Sequence, residues 1–429
     1  MFDVLKSSWA LLIGVMLLMV GNGIQGTLLG LRGAIEGFST YEMSLVMSGY
    51  FAGFLGGSRA TPGLIRRVGH VRVFAALGSF ISAALILFPV ITDPIAWTLL
   101  RVAIGFSFSG VYVTAESWLN HAATNQNRGK ALSLYLIVQM IGIIAAQGLV
   151  VLADPGGFIL FILPSVLVSL AFAPILLSVS PTPAFATARR MTLRDLVKIS
   201  PLGVVGIMLI GGVFSALFGM AAVFATQAGL SIGRLSIFIA MIYVGGLVMQ
   251  YPIGWISDRV DRRGLILTVA ALGALAALVP VILPGNYPVL ILAAFLIGGT
   301  ANPLYALLLA YTNDFLEVED MPAASAGLMF VNGVGAVAGP LVTGWAMTTF
   351  GPQGFFVYLA VMLLALVGYG LWRTTRRASP SVEETQSYAP VLPSASPVAM
   401  DMAQEIYAEA VEEAAEDGTS DTNWRSDAQ

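Results

Sequence analysis

Runs of about twenty apolar residues recur along the chain, separated by short polar or basic connections. At 1.5 Å per residue, each run is long enough to cross roughly 30 Å of hydrocarbon. They fall near 8–31, 41–64, 72–91, 95–118, 131–152, 158–178, 201–226, 235–256, 265–284, 288–311, 324–347 and 354–372, which predicts twelve spanning helices. The runs are continuously apolar and do not alternate at every second residue, so a barrel of strands is excluded. Lys6 before the first run imitates a signal peptide, but apolar residues continue to about Leu31 with no small-residue cleavage site after a short core. That run is expected to remain as the first helix.

Composition agrees with a lipid environment. Hydrophobic residues make up 57% of the 429 positions and charged residues 10%, against about 25% charged in a soluble domain. The net charge of −3 averages two unlike regions. Of the 24 acids, 11 lie from Ser379 onward beside a single base, Arg425, leaving 13 acids and 20 bases in residues 1–378. With both termini cytoplasmic, 16 of those 20 bases lie inside: Lys6, Arg66, Arg67, Arg72, Arg128, Lys130, Arg189, Arg190, Arg194, Lys198, Arg259, Arg262, Arg263, Arg373, Arg376 and Arg377. This is the asymmetry of the positive-inside rule. The acids Asp314, Glu317, Glu319 and Asp320 dissent, but acids count little for orientation.

The expected organisation is a six-helix bundle over 1–178, a cytoplasmic linker with prolines and four bases over 179–200, a second six-helix bundle over 201–378, and an acidic cytoplasmic tail over 379–429. The tail opens with Ser, Pro and Glu and is expected to be largely disordered and solvated. A short acidic helix with Met402, Ile406, Ala410 and Val411 on one face is the alternative.

An internal repeat is visible. Gly254-Trp-Ile-Ser-Asp258-Arg259-Val-Asp-Arg262-Arg263 follows the eighth run, and a shift of 192 residues lands on Pro62-Gly-Leu-Ile-Arg66-Arg67-Val-Gly69-His70-Val-Arg72 after the second. The same shift carries Arg128 to Asp320 and Gln147 to Gly339. The 254–263 segment resembles the loop signature of the major facilitator superfamily, and Arg101-Val-Ala-Ile-Gly105-Phe-Ser resembles that family's second signature. Glu116-Ser-Trp118-Leu-Asn120 and Gly69-His70-Val-Arg72 look like its YcaD-like bacterial branch. The resemblance covers about 1–375 and implies two homologous six-helix halves related by a pseudo-twofold. In the first copy, Arg66 stands where an aspartate is expected and Pro62 where a glycine is. A charge exchange is therefore expected at the cytoplasmic gate, with Asp258 facing Arg128 and Arg66 facing Asp320; unrelated positive-inside residues are the alternative.

Ionisable groups within a span face a cavity or a partner and are functional candidates. Arg101, Gly105, Tyr112 and Glu116 share one face of the fourth helix. Arg101 and Glu116 are about 22 Å apart along it and cannot pair directly. Glu116 is the leading proton-coupling candidate, with a fixed salt bridge to Arg128 or Arg59 as the alternative. Arg101 is either a brace or part of a substrate or proton relay. Asn22, Gln25 and Arg32 form a stripe on the first helix, and Asn302 and Tyr305 one on the tenth; the resemblance implies that helices one, four, seven and ten line the central path. Gln139, Gln147, Gln250 and Asn332 add amides from helices five, eight and eleven.

The chain holds no cysteine, and its two histidines, His70 and His121, fall in separate polar connections, so no disulfide, thiolate or metal chemistry is expected. Gly333-Val-Gly335-Ala-Val-Ala338 imitates a dinucleotide fingerprint but has no strand before it, and Arg128-Gly129-Lys130-Ala131 lacks the hydroxyl of a phosphate loop. No cofactor, nucleic acid or catalytic group is expected. The reading is a non-enzymatic, monomeric secondary transporter of the bacterial inner membrane, moving a small-molecule substrate by alternating access with proton coupling. An uncoupled facilitator and a non-transporting sensor or scaffold on the same fold are the alternatives.

Overall fold

The computed structural model describes residues 2–123, 127–177, 191–317, 320–376 and 388–405, without the side chains of 2–7 and 175–177. The linker other than 191–200, and the tail other than 388–405, lie outside the described residues. The described part is helical, with twelve long helices: α1 (Phe2–Ile35), α2 (Thr40–Val68), α3 (His70–Leu87), α4 (Pro94–Ala122), α5 (Arg128–Val150) and α6 (Ile159–Leu177), then α7 (Pro201–Gln227), α8 (Ile232–Ser257), α9 (Arg262–Ile282), α10 (Tyr287–Asn313), α11 (Met321–Phe350) and α12 (Gly354–Thr374). Ten of them are long and apolar enough to cross a membrane. The other two are α2, whose last third carries Arg59, Arg66 and Arg67, and α6, which is apolar but shorter.

Local sequence sets the helix ends. Ser39 caps α2 in a reciprocal box with Glu42, Asp93 caps α4 ahead of Pro94, and Asn286 caps α10 ahead of Pro288, each giving an otherwise orphaned N–H an acceptor. Gly69 joins α2 to α3 with φ +85°, a conformation that only glycine adopts without strain.

The helices form two bundles of six, α1–α6 and α7–α12. The same close approaches hold each together. A Cβ at Gly53 in α2 would overlap the Val102 carbonyl of α4, and one at Gly245 in α8 would overlap the Phe295 carbonyl of α10. A Cβ at Gly142 in α5 would lie 2.9 Å from the Met16 carbonyl of α1, and one at Gly335 in α11 would overlap the Met208 carbonyl of α7. Gly53 to Gly245 and Met16 to Met208 both obey the 192-residue offset read from the loops. Small residues let these backbones meet without a hydrophobic drive between helices.

The bundles touch through α1 with α7, α2 with α11, and α5 with α8. At the end away from the basic helix termini the contact is tight: Gln227 donates to Thr40 Oγ1 at 2.6 Å, and Gly344 packs on Ser44. α7 contains a π-helical turn at Ala216–Met220, which together with Ala221–Gln227 packs against the first bundle. At the basic end the chain's own tail enters between the bundles. The expectation of a solvated tail therefore fails for Tyr388–Glu405. Its residues 397–405 form a helix, and Val391, Ala399, Met400, Met402 and Ala403 are almost fully buried. The acids that suggested solvation come mostly after this segment, whose own composition is apolar.

Candidate functional site: a cavity between the two bundles

A set of polar and aromatic side chains lines a central cavity at the bundle interface. Asn22 of α1, Tyr112 of α4, Gln139 of α5, Asn302 of α10 and Asn332 of α11 all line it. Tyr50, Tyr243 and an aromatic wall of Phe51, Phe54, Phe214 and Phe218 complete it, and Leu392, Pro393 and Ser394 of the tail form part of its lining. Asn22 donates to the Tyr112 hydroxyl at 3.4 Å, which donates in turn to Met19 Sδ at 3.3 Å. Asn22 Oδ1 and Asn332 Oδ1 are buried with no hydrogen-bond partner. Such acceptors are costly unless something fills them part of the time. The wall offers stacking surface and amide groups, the usual make-up of a small-molecule site.

Four turns of α4 below Arg101, Glu116 is fully buried one turn beyond Tyr112. Its Oε1 accepts the Tyr135 hydroxyl at 2.9 Å, and its Oε2 accepts the backbone N–H groups of Ser396 and Ala399, both at 3.3 Å. The alternative of a fixed salt bridge to Arg128 or Arg59 is not among its contacts. Arg128 pairs with Glu405 at 2.9 Å, and Arg59 lies over the Phe330 ring at 3.9 Å. Tyr135 was invisible to sequence reasoning because its phenol reaches Glu116 across a helix pair whose register the sequence does not state.

Arg101 is fully buried. It donates to Gln25 Oε1 at 3.2 Å, approaches Met47 Sδ at 3.7 Å and lies 4.5 Å from the centre of the Tyr50 ring. No acid among the described residues forms a salt bridge with it. A guanidinium in a span costs about 2.5–3.5 kcal/mol even on permissive scales, and the cation–π contact returns on the order of 2 kcal/mol when desolvated. Gln25 thus serves Arg101, and neither lines the cavity.

The other expected path residues divide. Gln147 accepts from Thr27 at 3.0 Å and lines a small side cavity with Asn22. Arg32 pairs with Glu36 at 2.6 Å and donates to the carbonyls of Pro155 and Gly156, a connection brace away from the cavity. Gln250 donates to the Tyr388 hydroxyl at 2.8 Å. Tyr305 is buried with its hydroxyl 3.9 Å from Met400 Sδ.

The signature residues also find different partners from those expected. Asp258 accepts the Tyr388 N–H at 2.8 Å and lies 3.9 Å from Arg262, so neither it nor Arg128 forms the anticipated pair with the other; each meets the tail. Arg66 and Arg67 are exposed at the end of α2, and Asp320 precedes α11 with no salt bridge to Arg66 among the described residues. Arg259 covers the Trp255 ring at 4.1 Å. Arg262 is buried and grips Asp314 with one nitrogen 2.5 and 2.6 Å from the two carboxylate oxygens. One of the four dissenting acids of the α10–α11 connection thus neutralises a signature arginine. Gly254 is where the Tyr388 ring packs: a Cβ there would lie 2.5 Å from it.

Comparison with known proteins accords with this geometry. A model of the Major Facilitator Superfamily matches residues 11–278 and 205–400. The MFS-type transporter YcaD of Escherichia fergusonii is 25% identical over 357 residues, 82% of this chain and 91% of the relative. The MFS-type transporter Ent638_1421 of Enterobacter sp. (strain 638) is 27% identical over the same shares. Among solved structures, the nucleoside transporter NupG superposes with a TM-score of 0.69 at 15% identity, over 86% of this chain and 100% of that one. A bacterial homologue of the human lysosomal transporter Spinster, in an inward-facing and unoccupied conformation, gives 0.63 at 14%, over 95% and 98%. The chain belongs to the Major Facilitator Superfamily, on the branch of the YcaD-type transporters, and is a multi-pass, non-enzymatic membrane transporter.

Proposed function

We propose that the protein is a proton-coupled secondary transporter that carries a small solute by alternating access of the central cavity, with Glu116 as the proton carrier. The observation that carries the reading is the placement of Glu116, a buried carboxylate without a basic partner among its contacts, one turn along α4 from the cavity-lining Tyr112. A carboxylate so placed is neutralised more readily by a proton than by a fixed counter-charge. Rocking of one bundle against the other exposes it to each side in turn. The tight contacts of Thr40 with Gln227 and Ser44 with Gly344 close one end and support an inward-facing reading, with the basic helix ends and both termini in the cytoplasm. The bundles span 1–178 and 201–378, and the working unit is a monomer in the bacterial inner membrane.

The cavity lining is aromatic and amide-rich and carries no ionised group of its own. It suits a solute that stacks on the aromatic wall and offers hydrogen-bond donors to the open oxygens of Asn22 and Asn332. The test is proton release from purified protein on addition of pooled metabolites, repeated with Glu116→Gln. Release that disappears in the variant is the expected result. Solute binding with no release in the native protein removes the coupling and leaves a facilitator.

A further inference from the structure

The tail segment makes its contacts where a solute on its way to or from the basic end must pass. Tyr388 anchors it at the signature loop, through Asp258, Gln250 and the flat face of Gly254. The Pro393 carbonyl then accepts from Asn332 Nδ2 at 2.8 Å inside the central cavity. Ser396 and Ala399 deliver their N–H groups to Glu116. Gln404 donates to the Met321 carbonyl at 2.7 Å and to Ser325, and Glu405 pairs with Arg128.

Two features separate this from chance packing of a loose end. The first is the number of specific polar partners satisfied, which belong to both bundles: Glu116 and Arg128 lie in the first, and Gln250, Asp258, Ser325 and Asn332 in the second. A segment bonded to both resists their relative motion. The second is the use of the tail helix's own start. The N–H groups of a helix's first turn have no partner within the helix, and its N-terminus favours an anion. Ser396 caps this helix by accepting the Val398 N–H at 3.1 Å, and Glu116 takes the N–H groups of Ser396 and Ala399.

We propose that Tyr388–Glu405 is an internal plug that docks on Glu116 and Asn332, fills the solute path from the basic end and holds the two bundles in one arrangement until it is released. The plug bonds Glu116, which the transport reading assigns to the proton, and Asn332, whose side chain that reading assigns to the solute, and to that extent it rests on that reading. Its occupant is this chain's own tail, joined to α12 by residues 375–387.

The native chain has no cysteine, so a single reporter thiol can be placed without a background. Ser58→Cys puts it on the cavity wall at a buried position of α2 that makes no hydrogen bond to the tail. In inside-out vesicles, a membrane-impermeant maleimide is expected to label it slowly in the full chain. Labelling should be about tenfold faster or more when the chain stops after Arg377, since a docked fraction of about 90% scales the rate by that factor. Ala399→Pro combined with Glu405→Lys keeps the tail attached. Proline is tolerated in the first helical turn but has no N–H for Glu116, and lysine reverses the charge facing Arg128. This variant is expected to label as fast as the shortened chain, and a peptide of residues 388–405 added to the shortened chain should restore protection. Equal rates in the full chain and the Ala399→Pro, Glu405→Lys chain overturn the proposal, whatever the shortened chain does. The assay needs no solute, so that result leaves the transport reading standing.

Discussion

Glu116 and Tyr135 form a buried hydrogen bond of 2.9 Å between α4 and α5, with the tyrosine hydroxyl donating to the carboxylate. It fixes one carboxylate oxygen within the first bundle, while the other accepts the N–H groups of Ser396 and Ala399 of the tail. Tyr135→Phe removes one donor and nothing else. We expect thermal unfolding within a few degrees of the native protein, because a single hydrogen bond contributes about 0.5–1.5 kcal/mol. Solute-driven proton release should slow by about tenfold. Unchanged release in Tyr135→Phe would show that the phenol has no part in the proton path.

Arg101 gives a test that separates bracing from function. Its buried charge is met by an amide, a thioether and a ring, not by an acid. A buried charge with no acid partner carries a desolvation cost that an apolar residue of similar length does not. Arg101→Met is therefore expected to keep or raise the unfolding temperature in detergent while transport falls at least about tenfold. A marked loss of stability with residual transport intact would make Arg101 a brace.

The Arg262–Asp314 pair is structural. Both side chains are almost completely shielded from solvent, so removing Asp314 takes away the closest counter-charge of a buried arginine and leaves only Asp258, 3.9 Å away, at a cost of up to about 3–5 kcal/mol. Asp314→Asn is expected to lower the unfolding temperature strongly, and Asp314→Asn with Arg262→Gln to recover part of the loss. No recovery in the double variant would mean that the pair is not coupled.

The paired glycines should behave alike. Gly53→Ala and Gly245→Ala each drive a Cβ into a carbonyl of the neighbouring helix, and overpacking of this kind costs about 1–3 kcal/mol. Parallel losses in denaturant titration are expected. A large loss in one half and none in the other would contradict the pseudo-symmetry of the packing.

Tail docking should weaken as pH rises. Burial lifts the Asp401 carboxyl from its ordinary 3.8 to about 7, and the neighbouring Glu405 adds to the lift, with Arg128 beyond it. Below about pH 4 the docked and free tails are both protonated at Asp401 and docking is at its tightest. Between about 4 and 7 the free tail ionises first, so docking loses stability progressively; above about 7 the loss is complete. The ratio of Ser58→Cys labelling in the full chain to that in the chain ending at Arg377 should climb from about pH 5 to 8, and Asp401→Asn should flatten it. A flat ratio with Asp401 in place removes this control.

Much of the architecture was legible in the residues. Hydrocarbon-length apolar runs gave the twelve helices, and the 192-residue offset gave the two halves, later matched by Gly53 with Gly245 and Met16 with Met208. Asn22, Tyr112, Gln139, Asn302 and Asn332 could be assigned to the cavity because polar groups in a span need a wet or polar face. Arg32 and Gln25 misled for the same reason: a span amide or arginine needs a partner, and theirs were a neighbouring carboxylate with two carbonyls, and Arg101. The tail was misjudged for a different reason. Its burial depends on a cavity that exists only once both bundles are assembled, and its key contacts to Glu116 come from backbone N–H groups, which leave no mark in sequence.

In this mechanism Glu116 carries the proton that drives solute through the cavity. Once a solute is in hand, the most direct measurement is its uptake into proteoliposomes under an imposed pH gradient, beside its exchange at equal pH, for the native chain and Glu116→Gln. The native protein is expected to do both, and Glu116→Gln to keep exchange but lose uptake driven by the gradient. Gradient-driven accumulation that survives in Glu116→Gln would contradict this mechanism.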